Sequence, residues 1–166
     1  MTDPISALIQ RYSSRGVLVD TNILLLLFVG SFDRELIPRF KRTSQFASTD
    51  YDVLRRLLSR FKTVVTCPNV LSEVNSLSGQ LGEPARTGYF EEFARKIDTL
   101  DEEYVANSTA AQVAAFPRLG LTDSAIVCLA KGKYLVLTDD FKLFGFLEQN
   151  RVDAINFTHV RFLTWT

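Results

Sequence analysis

At 166 residues, 46% of them apolar, the chain is long enough to bury a sizeable core in one domain spanning 1–166, and too apolar for a disordered tail. Nineteen Lys and Arg balance nineteen Asp and Glu, so no overall basic excess announces nucleic-acid binding. Two cysteines and one histidine cannot form the usual zinc sets without carboxylates.

The start Met1-Thr2-Asp3-Pro4 lacks the basic region and long apolar core of a signal peptide. Residues 5–12 read as a short amphipathic helix, and Gly16 breaks the chain before a strand at 17–20. Asn22 to Val29 is apolar almost all round, the mark of a helix buried against a sheet. Its apolar run, Ile23 to Val29, falls far short of a membrane span, so a soluble cytoplasmic protein with no membrane contact is expected. Residues 33–46 have no clear period. Ser48-Thr49-Asp50 signals a helix start, and Tyr51 to Phe61 follows with apolar positions 51, 54, 57, 58 and 61. Residues 34–62 carry eight cations against three acids, a local charge of +5 that leaves −5 elsewhere. That is either a solvated face or an arm for a polyanion.

The β-branched run at 63–66 predicts a strand, and Pro68 suits the first turn of the next helix, 69–77. Gly79, Gly82 and Pro84 mark a loop. A charged helix is expected from 88 to 105, another from 108 to 116, and a third from 123 to 131 with Gly132 as its C-terminal cap. Strand 134–138 and a helix at 143–149 come next, then one or two closing strands at 153–157 and 160–165. Cys67 and Cys128 lie in apolar contexts and read as buried reduced thiols; His159 reads as structural. This alternation argues an α/β domain with a mostly parallel sheet between helices, whose ligands bind beyond the carboxyl ends of the strands.

Four carboxylates sit at the hinge points of this alternation: Asp20 after the first strand, Glu73 on the helix after the second, Asp123 at a helix start, and Asp140 after strand 134–138, with Asp20 and Asp140 at strand ends of that kind. Each has an ordinary explanation alone. Asp20 and the Asp139-Asp140 pair suit turns, Asp123 suits an N-cap, and Glu73 lies at the margin of an apolar stripe. Asp123 shares a helical face with Val127 and Ala130, so it is expected to point inward. Strand alternation favours Asp140 over Asp139 as the inward residue. If the four converge, their charges demand protonation or a cation, and a hard divalent ion is the natural partner of oxygen ligands.

The runs Val-Asp-Thr-Asn (19–22), Pro-Asn-Val-Leu-Ser-Glu-Val (68–74), Leu-Thr-Asp-Ser-Ala (121–125) and Leu-Thr-Asp-Asp-Phe (137–141), in this order, resemble the PIN domain family of metal-dependent ribonucleases. The resemblance spans about 16–160. It implies a three-layer sandwich with a central parallel sheet of four or five strands. It implies Mg²⁺ or Mn²⁺ held by Asp20, Asp123 and Asp140, with Glu73 directly or through water, and hydrolysis of RNA. Thr21 and Asn22 match the small polar residues that follow the first acid and help hold the site. Thr138 and Asp140 match the Thr-x-Asp motif, with Asp139 secondary. The toxin branch of the family would add an antitoxin protein and a homodimer as partners, although 30–62 and 79–120 are longer than in its compact members.

Other enzyme classes fit less well. An aspartyl-nucleophile phosphatase would want a second Asp where Asn22 stands, and neither a phosphate-binding Gly-rich loop nor a Gly-x-Ser-x-Gly elbow occurs. The alternative of another class is a catalytically silent scaffold or interaction module that kept the acids.

Overall fold

The computed structural model describes residues 3–162, beginning with α1 (Pro4–Tyr12). Asp3 caps this helix by accepting from the Ser6 N–H at 3.2 Å. β1 (Val17–Val19) is buried on both faces, as a central parallel strand requires. Its successor α2 (Thr21–Phe32) is capped by Asp20, whose Oδ1 accepts from the Ile23 N–H at 2.9 Å. Ile23, Leu24, Leu25 and Leu26 are all fully buried, each worth about 1.5–3 kcal/mol of transfer free energy. A helix apolar all round can exist in water only when enclosed, and α3 (Ser48–Leu58), α4 (Pro68–Ser78) and α5 (Ala85–Ile97) pack against it.

The aperiodic stretch after α2 holds a 3₁₀ turn (Arg34–Leu36) and then α3 (Ser48–Leu58). β2 (Val64–Thr66) leads into α4 (Pro68–Ser78), with Pro68 in the first turn, where its missing N–H costs nothing. α5 (Ala85–Ile97) precedes a two-residue strand, β3 (Asp101–Glu102), and a single turn, α6 (Asn107–Ala110). α7 (Phe116–Ala130), β4 (Leu135–Thr138), α8 (Phe141–Gln149), β5 (Ala154–Asn156) and α9 (Phe157–Val160) complete the described chain.

The five strands form one all-parallel sheet in the order β3-β2-β1-β4-β5. The fold is therefore α/β, a parallel sheet flanked by helices, as a PIN-like sandwich would be. From β1 the chain moves outward to β2 and β3, then returns to β4 on the other side of β1. The crossovers reverse at the β1–β4 junction, and such a reversal opens a crevice at the carboxyl ends of the two strands. Val19 is level with Leu137, so Asp20 and Thr138 are adjacent across the crevice.

Three expectations are corrected. The helix expected at 88–105 runs from 85 to 97, and 101–102 pair with β2. The acidic Asp101-Glu102 shows no apolar alternation because β3 is an exposed edge, where charge blocks further pairing. The helix expected at 108–116 shrinks to α6, and α7 starts earlier, with Pro117 in its first turn and a break at Gly120 (φ 79°). The closing strand expected at 160–165 does not form at its start: Val160 ends α9, and 163–166 lie outside the described residues. Cys67 is buried and Cys128 half-buried, both as free thiols. Among the described residues no helix is long and apolar enough to cross a membrane.

Candidate functional site

Asp20, Glu73, Asp123 and Asp140 line one cleft of about 250 Å³, together with Thr21, Asn22 and Thr122. Four separate elements deliver the acids. Asp20 ends β1, Glu73 lies on the second turn of α4, Asp123 on α7, and Asp140 begins α8 beyond β4. Gly120 adopts a left-handed backbone that a β-carbon would disfavour, and this break separates the first turn of α7 from the segment carrying Thr122 and Asp123.

Hydrogen bonds hold three of the four carboxylates. Asp20 is only 5% exposed. Its Oδ1 accepts from Ile23, while its Oδ2 accepts from the Asp139 N–H (3.2 Å) and from the Thr138 hydroxyl. Thr138 Oγ1 in turn accepts from the Asp140 N–H at 3.0 Å. One threonine thus ties the first and last acids together, which is a physical reason for threonine two residues before Asp140. Asp140 caps α8, with Oδ1 accepting from the Lys142 and Leu143 N–H groups at 2.7 and 3.1 Å. Glu73 is gripped from both sides, by Thr21 Oγ1 at 2.8 Å and Thr122 Oγ1 at 2.6 Å. Asp123 has no hydrogen-bond partner among the described residues, so the N-cap explanation for it fails.

Asp139 does not line the cleft, but neither does it simply face solvent. It is more enclosed than Asp140, and its Oδ1 accepts from Asn22 Nδ2 at 3.3 Å. Burial, then the neighbouring Asp139 charge, pushes the Asp20 carboxyl well above the ordinary range. Asp123 is pushed up to about 7, first by burial and then by Asp140 and Glu73. Asp139 is also raised, chiefly by burial. These acids are held where full ionisation is costly, the condition that a cation relieves.

The donor chemistry suits a hard divalent ion, since the polar side chains lining the cleft offer oxygen and amide groups with no thiol or imidazole. With two acceptor sites per carboxylate oxygen, Asp20 keeps one open on Oδ1, Asp140 keeps Oδ2, and Asp123 keeps both oxygens. As the side chains stand, no three His, Cys, Asp or Glu residues among those described surround a common point. Closing on an ion would require side-chain rotation, and the unbonded Asp123 is the freest to turn.

Thr122 was not anticipated as a site residue. Its one signal in the sequence is adjacency to Asp123; its bond to Glu73 depends on how α4 meets α7. No residue of the basic segment 34–62 lines the cleft. Two of its three acids are paired, Asp52 with Arg34 and Asp50 with Arg161, both at 2.5 Å. His159 packs edge-on to Phe141 and Phe144, outside the cleft. No protein-family model matches the chain, and no curated protein matches it significantly.

Proposed function

We propose that this cleft is the active site of a PIN-like endoribonuclease that hydrolyses RNA phosphodiester bonds with Mg²⁺ or Mn²⁺. The observation that carries the reading is convergence: four acids from four elements line one crevice at the reversal point of a parallel sheet. Asp20, Asp123 and Asp140 would hold the ion, with Glu73 directly or through water. The ion, when bound, would lower the pKa of a water and offset charge building on the phosphate. Asp20 serves as the rigid anchor, fixed by three donors. Thr138 sets its spacing to Asp140, and Thr21 and Thr122 aim Glu73. Water attack would leave a 5′-phosphate and a 3′-hydroxyl.

The lack of a ready-made three-ligand arrangement among the described residues supports one other reading, a silent interaction module that retains the acids. A mixed pool of structured and single-stranded RNAs, incubated with Mn²⁺, Mg²⁺ or EDTA, separates the two. Metal-dependent cleavage that Asp20→Asn abolishes supports the nuclease. Absence of both cleavage and Asp20-dependent Mn²⁺ binding by calorimetry supports the module.

A further inference from the structure

A second cavity, about 550 Å³, adjoins the acidic cleft and shares Glu73, Leu121 and Thr122 with it. The hydrogen-bonded Glu73 and Thr122 line both hollows. The far side is built differently. Pro68, Val105 and Leu121 supply apolar walls, and Asn69 Nδ2 donates to Asn107 Oδ1 at 3.1 Å. That bond orients both amides and leaves the Asn69 carbonyl as an acceptor and the Asn107 amide as a donor, with no other partner among the described residues. Reversing both amides leaves one donor and one acceptor again, so the pattern does not depend on their assignment. Glu73 is the only charged residue among the described residues on the wall, so an anion is disfavoured here.

A neutral, flat ligand with an adjacent donor and acceptor fits such a wall, and nucleobase edges have that pattern. We propose that Asn69 and Asn107 form a base-binding subsite, which seats the nucleobase next to the phosphodiester held in the acidic cleft. The choice of ligand rests on the nuclease reading, while the test of binding does not.

The experiment titrates uncharged adenosine, cytidine, guanosine and uridine into the ¹⁵N-labelled full chain in EDTA and follows the side-chain amide signals. At least one nucleoside should move both the Asn69 and Asn107 signals, and Asn107→Ala should weaken its binding about 3- to 10-fold, one or two neutral hydrogen bonds' worth. Asn107 is exposed, so the variant should melt with wild type. In parallel cleavage assays with Mn²⁺, the same variant should blunt base preference and raise KM with little change in kcat. If none of the four nucleosides moves the amide signals, the subsite is overturned even where RNA is cut. If the signals move while neither RNA cleavage nor Asp20-dependent Mn²⁺ binding is seen, the subsite stands and the nuclease reading fails.

Discussion

Asp123 is a half-buried carboxylate with no hydrogen bond among the described residues, so replacing it with Asn should stabilise the metal-free protein. Its folded-state pKa is raised from 3.8 to about 7. The native state therefore binds this proton more tightly than the unfolded chain does. The stabilising contribution is complete below pH 3.8 and is lost as pH rises through 7. Holding the charge at pH 8 costs at most about 4 kcal/mol, and water entering the open cleft reduces that to about 1–3 kcal/mol. Asp123→Asn removes the charge with little change of shape. Urea unfolding in EDTA at pH 4, 6 and 8 should show a gain near zero at pH 4 that grows to about 1–3 kcal/mol at pH 8. In thermal melts that is a rise of about 2–10 °C at the upper pH. Mn²⁺ at pH 8 should then raise the wild-type midpoint more than that of the variant. A variant equally or less stable than wild type at pH 8 would refute the placement of Asp123 in a desolvated, like-charged cleft.

Other perturbations probe the frame around the site. A β-carbon at Gly30 would fall on the Tyr51 ring, so Gly30→Ala should cost about 1–3 kcal/mol despite better helix propensity, measured as a lowered urea midpoint. Arg161 joins α9 to α3 through the buried Asp50 at 2.5 Å and also donates to the Gln45 carbonyl at 3.2 Å. Arg161→Ala should therefore destabilise by about 2–4 kcal/mol, and a midpoint within 0.5 kcal/mol of wild type, roughly the scale of a neutral surface change, would show the pair to be dispensable. Ser124 Oγ is buried without a partner among the described residues, so Ser124→Ala should be neutral or stabilising by up to about 1 kcal/mol in the same assay.

Much of the fold was legible because its signals are local. The apolar and β-branched runs at 17–19, 64–66 and 135–138 are short and continuous, as strands buried in a parallel sheet must be. The apolar helix after Asp20 declares its burial by composition alone. β3 escaped notice because an exposed edge strand of two acidic residues has neither periodicity nor apolar content. The helix expected at 88–105 ends instead at Ile97, and nothing in the sequence marks the pairing that β2 imposes from outside. Gly120 signalled a break, but whether the chain ended a helix there or bent within one depended on what followed in space.

For the cleft, the residue types, their placement at strand ends and helix starts and the resemblance of their runs to a known family pointed to four acids, while Thr122 beside Asp123 was visible without its purpose. What the amino-acid sequence determined by itself is the inventory: which carboxylates exist and which elements carry them. Only the tertiary structure decided their relations. The order β3-β2-β1-β4-β5 placed Asp20 beside Thr138, the meeting of α4 with α7 gave Glu73 its second threonine, and enclosure raised the Asp20 and Asp123 carboxyls. The physical reason is range. Propensity, capping and periodicity act within a few residues, whereas desolvation and like-charge repulsion depend on distances between elements that the chain brings together only when it folds.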